Sequence, residues 1–453
     1  MAEASGGRLA AAGGSGHRAQ PALAGGDRTT RDSRMLHEAP IRSAGAFAIA
    51  MAVFFLITYF ETMNLGGLKV ATLWRLLVVV VAALVMAVRP FVPTATTREL
   101  EPLFWTFLAF AIAPLLGIGV GSSDIQVSLE VFAQRIFPII VVMFLLTACR
   151  FDLADLLVRT FPIYLCLVSV PLLLGVLPPT REPLSAVSGY DVNAYVGPFQ
   201  NIHSAALAHA VAVICSFTLL VRAGASHRLV LLGSSLACLA LTVLTTARSG
   251  LLAAVLGMIV IACLARRFMS LLALIILAAF LGLVVAAMRP ELVDVAMDRA
   301  LGRNVYVVDY SADAMSSGRL TLQKAALKAF ADQPPLRQLF GIGRTASKKA
   351  IERYTSFYLI AHNAYVDELI AYGLFGLGAL LATLATAGRL AWRNARAGQP
   401  AGAALILSLM VFAVLQGIDY SLQLSVVGLV LLLETHARLR STQAALAAAG
   451  QPA

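Results

Sequence analysis

The feature that most constrains this chain is a series of apolar stretches, each long enough to cross a bilayer as a helix. They occupy 44–62, 71–88, 102–120, 131–149, 160–178, 202–221, 229–246, 249–265, 268–288, 364–387, 401–418 and 420–435. Hydrophobic residues make up 59% of the chain and charged residues only 13%, which is typical of a polytopic membrane protein. We therefore predict an all-α polytopic membrane protein with about twelve transmembrane helices.

The orientation of the helices follows from the short loops, because basic residues are retained on the cytoplasmic side. One set of loops holds repeated arginine pairs such as Arg150 and Arg159, whereas the other set offers only Lys69, Arg181 and Arg248. The first set is predicted to be cytoplasmic, which places both termini inside and the long loop outside. The net charge of +11 comes largely from these basic cytoplasmic loops and does not indicate nucleic-acid binding. The predicted domains are a disordered cytoplasmic tail (1–43), helices 1–9 (44–288), a long outer loop containing helices (289–361), helices 10–12 (362–435) and a cytoplasmic tail (436–453).

The stretch 361–378, AHNAYVDELIAYGLFGLG, lies where the long loop enters an apolar helix. If one helix runs unbroken from His362, then His362, Gly373 and Gly376 share a face, because eleven residues leave a net rotation of only about 20°. The glycines would let a neighbouring helix come close. A helix N-terminus lowers the pKa of a histidine, so His362 is a candidate base or simply an interfacial residue. Asp367 and Glu368 either pair with an arginine, or one of them is the base instead of His362.

Four polar residues at the outer end are further candidates, and three of them have two interpretations. Arg248, in the turn TARSG, either grips a phosphate together with backbone N–H groups or snorkels to the interface. Arg135, inside a span and one turn from its outer end, either acts in a site or reaches the headgroups. Arg319 begins a predicted amphipathic interfacial helix over 317–332, where a cation opposes the helix dipole. Asn201, which precedes the span 202–221, either binds sugar hydroxyls or caps that helix.

Other classes of site leave no pattern in the sequence. There is no HExxH, no Walker loop and no GxSxG, and the five cysteines lie in or beside apolar runs without metal-type spacing. His203 and His209, six residues apart, fall on roughly opposite sides of one helix. We predict no metal and no cofactor. A transporter would show internal repeats and charges at mid-membrane depth, and the polar residues gather at one face instead.

The motif formed by His362-Asn363, nine further residues and Gly373-Leu374-Phe375-Gly376 resembles the signature of bacterial lipopolysaccharide O-antigen ligases. The turn around Arg248 and the segment Ser317-Gly318-Arg319 are similar to the arginine sites of that family. The resemblance implies a GT-C-like fold in the bacterial inner membrane, with a periplasmic loop and an active site facing the periplasm.

The resemblance also implies a reaction. The enzyme would transfer a glycan from undecaprenyl diphosphate to the lipid A–core oligosaccharide. The glycosyl transfer would be inverting and metal-independent, and membrane lipids would surround the protein. His362 would be the catalytic base, and Arg248, Arg319 and Arg135 would bind the donor diphosphate. Further support is predicted from Asn363, Asn201, Asp367 and Arg344. An O-antigen polymerase or a protein O-oligosaccharyltransferase on the same scaffold stays open, and a transporter of lipid-linked glycan is the less favoured alternative.

Overall fold

The computed structural model of the protein describes residues 64–65, 68–88, 94–119, 124–148, 150–174, 181–183, 193–199, 201–223, 225–288, 318–418 and 421–449. All of these residues belong to one compact unit. The predicted tail 1–43, the first predicted span 44–62 and the first part of the long loop, 289–317, lie outside the described residues.

Helices dominate the described part of the chain. Those before the long loop are α1 (Val70–Val88), α2 (Ala95–Gly119), α3 (Ile125–Thr147), α4 (Phe151–Leu173), α5 (Ile202–Arg222), α6 (Ala225–Leu244), α7 (Arg248–Leu264) and α8 (Phe268–Met288). Those of the loop are α9 (Arg319–Ala331), α10 (Pro335–Phe340) and α11 (Arg344–Thr355), and those that follow are α12 (Ala364–Arg396), α13 (Ala401–Leu415) and α14 (Ser421–Ala448). Two short antiparallel strand pairs, β1 (Asn64–Leu65) with β2 (Leu68–Lys69) and β3 (Arg181–Pro183) with β4 (Asn193–Tyr195), complete this part. The predicted all-α class is confirmed for these residues.

Within the described ranges, 8 helices are long and apolar enough to cross a membrane, and α7, α13 and the first part of α8 are shorter apolar helices. Each predicted span from 71–88 onward overlaps one of the helices α1–α8 and α12–α14, whereas the count of twelve stays a prediction. Helix α14 continues to Ala448, past the predicted start of the C-terminal tail at 436, so that tail begins as helix and its cytoplasmic placement stays a prediction. Residues beyond 436 are rich in Ala, Leu, Arg and Gln, which favour helix, and the His436 ring stacks on Phe151 with centroids 3.7 Å apart.

Helix α5 forms the centre of the core. Nearly every residue from Ser204 to Val221 is buried, and α5 packs against α4, α6, α7 and α13. Its many alanines allow these helices to approach closely on several sides. Gly257 of α7 shows how close the packing is, because a Cβ at that position would overlap the side chain of Ile214.

The loop helices dock on the first third of α12. The buried face of α9, including Leu322 and Ala326, packs with Ile351 of α11 and Ile370 of α12. The predicted helix over 317–332 is therefore confirmed as α9, although its buried face covers other helices of the protein. It ends at Ala331, with Asp332 as its C-cap, before two prolines that cannot continue it.

Helix α12 is not one unbroken helix from His362, so the predicted continuous face of His362, Gly373 and Gly376 is wrong. The helix begins at Ala364, and Gly373 interrupts it with φ 70° and ψ −168°. A Cβ at Gly373 would overlap the backbone carbonyl of Leu339, so this glycine does permit a close approach, but by the short loop helix α10.

The neighbouring groups explain what the interruption does. The amides of Ile342 and Gly343 donate to the carbonyls of Ile370 (3.4 Å) and Ala371 (2.8 Å), just before Gly373. The break in α12 thus gives the loop two backbone hydrogen bonds by which it is held on the helix. Gly376 makes no such opening, since a Cβ there would first meet side-chain atoms of α12 itself.

Candidate functional site

The backbone around His362 is held in an uncommon conformation immediately before α12. His362 has φ 53°, in the left-handed region that non-glycine residues seldom adopt. Asn363 is the N-cap of α12, and its side-chain oxygen accepts from the amides of Tyr365 (3.1 Å) and Val366 (3.3 Å). The helix therefore starts after His362, because the N-cap residue itself lies outside the helical region of φ and ψ.

Asp367 fixes the same turn from inside the helix. One carboxylate oxygen accepts from the amide of Ala361 at 2.7 Å, and the other accepts from the amide of Asn363 at 3.3 Å. The carboxylate therefore satisfies the backbone on both sides of His362. Such over-determination is what allows a strained residue to persist at a functional site.

The C-terminal end of α13 supplies the partner of the imidazole. Gln416, which follows α13 and is 1% exposed, places its Oε1 3.3 Å from His362 Nδ1. The Gln416 carbonyl also accepts from the amide of Ala364 at 3.1 Å. The start of α12 and the end of α13 are thus joined at the histidine.

Arg319 reaches the same end of α13. Its guanidinium donates to the carbonyl of Leu415 at 2.8 Å, next to Gln416. A cation at the start of α9 is unfavourable for α9 itself, but the C-terminal end of α13 carries the partial negative charge that favours it. Arg319 is therefore held there by a neighbouring helix, which brings it beside His362.

Arg248 belongs to the tight turn between α6 and α7, as the sequence predicts. Thr246 adopts φ 56° in that turn, and Arg248 is the first residue of α7, with an exposed side chain. Gly250 lets the start of α7 come close to α5, since a Cβ there would lie 2.5 Å from Ala206 Cβ. The charge of Arg248 lowers the pKa of Arg319, although burial of Arg319 is the larger cause. The two arginines therefore lie near each other.

Burial, together with the positive charges around His362, favours the neutral form of its imidazole. Burial is the first cause that lowers its pKa below 6.5, and the charges of Arg319 and Lys348 lower it further, while the hydrogen bond that His362 donates to Gln416 raises it. Lys348 is itself half-buried, and its pKa is lowered by burial and then by the charge of Arg344. A histidine with a lowered pKa is unprotonated at pH 7 and able to accept a proton.

A second histidine lies against the first. The rings of His203 and His362 have centroids 6.2 Å apart at 62°. His203 is in the first turn of α5, which Asn201 caps by accepting from the amides of His203 (3.0 Å) and Ser204 (2.9 Å). The predicted capping role of Asn201 is therefore observed, and its contact with sugar hydroxyls stays a prediction. His209 has different contacts from His203, because its ring is buried beside the rings of Tyr195 and Phe199.

The structure does not bring Arg135 to this group. Its guanidinium donates to the carboxylate of Glu368 and to the carbonyl of Phe110 (3.1 Å). The rings of Phe110 and Tyr372 lie 3.9 and 4.6 Å from it. The side chains of Arg135 and Glu368 are 0% and 5% exposed. These contacts argue against the predicted role of Arg135 on a diphosphate, and they also engage Glu368 as an ion-pair partner rather than a base.

Sequence reasoning missed three members of the site, namely His203, Lys348 and Gln416. The sequence pairs His203 only with His209 of the same helix, and it does not show that His203 faces His362. Lys348 is one of many basic residues in the loop, and nothing in the sequence distinguishes it from the others. Gln416 carried a usable signal, because a glutamine that ends an apolar helix needs a polar partner. Among the described residues, no group of three or more His, Cys, Asp or Glu side chains is placed to hold a metal ion.

Comparison with protein families gives one finding for this region. Residues 232–381 match the model of a family described as O-antigen ligase. The matched segment includes Arg248, Arg319 and His362, which the fold brings together. A search of curated proteins finds no match to the chain.

Proposed function

We propose that this chain, a multi-pass membrane protein of the O-antigen ligase family, transfers a glycan from undecaprenyl diphosphate to the lipid A–core oligosaccharide. The reaction is an inverting glycosyl transfer without a metal ion, at the periplasmic face of the inner membrane. The observation that carries the proposal is that His362 and Arg319 meet at the end of α13, where they contact Gln416 and the Leu415 carbonyl. The lowered pKa of His362 and the effect of Arg248 on Arg319 agree with this arrangement.

In this mechanism the imidazole acts through Nε2. Gln416 Oε1 accepts a hydrogen bond from Nδ1–H of His362, which leaves Nε2 as the unprotonated nitrogen. Nε2 takes the proton from a hydroxyl of the acceptor sugar as the hydroxyl oxygen attacks the anomeric carbon of the donor sugar. The bond from that carbon to the diphosphate oxygen breaks on the opposite side, so the anomeric configuration inverts. Undecaprenyl diphosphate leaves with the bonding electron pair.

The arginines stabilise the leaving group. Negative charge grows on the diphosphate as the bond breaks, and guanidinium groups bind phosphate oxygens with paired hydrogen bonds. Preorganised positive charge of this kind is usually the largest single contribution to such a reaction. Arg248 has an exposed side chain at the mouth of the site, which suits contact with the donor. Lys348 and Arg344 add to the positive potential, and Asn363 and Asp367 position the histidine.

The charges of the short loops support a site on the periplasmic side. Arginine pairs such as Arg266 and Arg267 follow the end of α7, whereas Arg248 begins the same helix. The cytoplasmic side is the one with more basic residues, so the start of α7 faces the periplasm. The polyprenyl carrier presents its phosphates on that side after the glycan has crossed the membrane.

The test uses the full-length protein in nanodiscs with lipid-linked glycan and lipid A–core, without ATP and in the presence of a chelator. The proposal expects the glycan on lipid A. A longer lipid-linked glycan would instead identify a polymerase, glycan on a Ser/Thr acceptor peptide a protein O-oligosaccharyltransferase, and glycan that crosses the membrane without a covalent product a transporter.

A pair of matched histidine variants tests the base. We expect His362→Ala to lose about 10²–10⁴-fold in transfer rate, the usual contribution of a positioned base. His227→Ala, which changes an exposed histidine near the start of α6, should transfer at the wild-type rate. Wild-type transfer by His362→Ala, with the protein folded, would remove the histidine from the reaction.

A further inference from the structure

The opposite end of the bundle holds a cavity of about 490 Å³, between the starting turns of α2 and the last turns of α12, with one residue from α14. Residues 374–393 of α12, from the break at Gly373 to the cavity-lining Arg393, cover about 30 Å at 1.5 Å per residue. His362 lies before the break, so the cavity is about a membrane thickness away from it. None of the residues placed in the glycan-transfer site lines it. It therefore calls for an explanation of its own.

The mouth of the cavity carries an excess of positive charge. Three arginines, Arg98, Arg389 and Arg393, line it together with one acid, Glu99. Arg393 donates to both carboxylate oxygens of Glu99, at 2.6 and 2.9 Å, and Arg438 of α14 lies 3.3 Å from the same carboxylate, so Glu99 is already paired with two other arginines. Arg98 and Arg389 both have exposed side chains, and neither forms an ion pair with a described residue. They leave two positive charges facing the cavity.

The remaining wall is apolar. Leu103 of α2 and Leu390 of α12 line the cavity below the arginines. Trp392, one turn from Arg389, is 51% exposed, and exposed tryptophans of membrane helices sit at the level of the lipid headgroups. The cavity thus joins a cationic mouth at headgroup depth to an apolar wall that runs toward the membrane interior.

We propose that this cavity binds an anionic phospholipid, with the phosphate diester between Arg98 and Arg389 and an acyl chain along Leu103 and Leu390. Guanidinium groups match phosphate oxygens in geometry and charge, and basic pockets between transmembrane helices are a known form of lipid-binding site. A free phosphate ion shares the headgroup chemistry but would leave the apolar wall unfilled. This inference does not depend on the proposed glycan transfer.

The experiment measures lipid retention by native mass spectrometry of the full-length protein in a neutral detergent. The probes are dioleoylphosphatidylglycerol, dioleoylphosphatidylcholine and inorganic phosphate. We expect retention of phosphatidylglycerol, little retention of phosphatidylcholine, and no competition from millimolar phosphate.

The test variant is Arg98→Gln with Arg389→Gln. A basic residue near anionic lipid contributes about fivefold in affinity, the equivalent of about 1 kcal/mol, so the double variant should bind phosphatidylglycerol about 25-fold more weakly. The matched control is Arg266→Gln with Arg267→Gln, which removes two exposed charges from the same end of the bundle outside the cavity. It should bind within about twofold of the wild type, since surface charge outside the cavity adds little to binding.

Three outcomes would overturn the proposal. Equal retention of phosphatidylcholine would mean that the apolar wall alone binds lipid. Competition by inorganic phosphate would mean a plain anion site. An equal loss of binding in the control variant would mean a general effect of surface charge. Thermal unfolding of both variants checks that each is folded, so that a loss of lipid reports on the cavity.

Discussion

The buried ion pair of Arg135 and Glu368 tests whether Arg135 has a structural role, as its contacts indicate, or binds the diphosphate, as the sequence predicts. The pair joins α3 to α12, and both side chains are nearly inaccessible. Glu368→Ala would remove the carboxylate that pairs with the buried guanidinium and keep its contacts with the Phe110 carbonyl and two aromatic rings. Breaking a buried pair by removing one partner costs about 3–5 kcal/mol, because the remaining charge is buried without compensation.

The double variant Arg135→Met with Glu368→Leu removes both charges and keeps similar side-chain volumes. Replacement of a buried ion pair by apolar residues is often neutral or stabilising. We therefore expect the free energy of unfolding of the double variant to exceed that of Glu368→Ala by about 3 kcal/mol or more, because the double variant avoids that penalty. Its transfer rate should be close to wild type, because Arg135 does not contact the donor in the proposed mechanism.

Two measurements decide the matter. Thermal unfolding in detergent, followed by size-exclusion chromatography, ranks the stability of the variants, and the nanodisc transfer assay gives their rates. A double variant as unstable as Glu368→Ala would refute the physical account of the pair. A double variant that is folded but inactive would restore Arg135 to the diphosphate site that the sequence predicts.

Four further expectations concern other parts of the fold and site. Gly373→Ala should destabilise the protein by about 1–3 kcal/mol because it forces a strained φ and a clash with α10, whereas Gly378→Ala, with nothing within 4 Å of its Cβ, should be neutral or slightly stabilising in the same thermal unfolding assay. Lys348→Met removes a charge that lowers the pKa of His362, so that pKa rises and the acid limb of the pH–rate profile should move to higher pH; a shift to lower pH would contradict this. Arg248→Lys should reduce transfer by about 10²–10³-fold, since an ammonium does not replace a bidentate guanidinium, and full activity would reduce the arginine to a snorkelling residue. Excess chelator should leave the wild-type rate unchanged, and a loss restored by Mg²⁺ or Mn²⁺ would contradict the metal-free mechanism.

Local features of the fold were predictable because local chemistry determines them. A run of apolar residues that must satisfy its backbone in lipid forms a helix wherever it occurs, so the helices α1–α8 and α12–α14 overlap their predicted spans. The turn before Arg248, the cap by Asn201 and the helix α9 also depend on neighbouring residues only. The break at Gly373 was missed, because a glycine inside an apolar run reads as a packing residue until a second segment is seen to approach it.

The sequence by itself determined that this is a helical membrane protein, which helices it has, and that His362, Arg248 and Arg319 are polar residues near helix ends. Only the tertiary structure decided which of them meet. Arg319 is beside His362 because the end of α13 holds it, and Gln416 contacts the imidazole from 54 positions along the chain. Arg135, equally conspicuous in the sequence, is instead engaged by Glu368 in the core. The physical reason is that pairing of charges and hydrogen-bonding groups depends on distance in space, which helix packing sets and residue spacing does not.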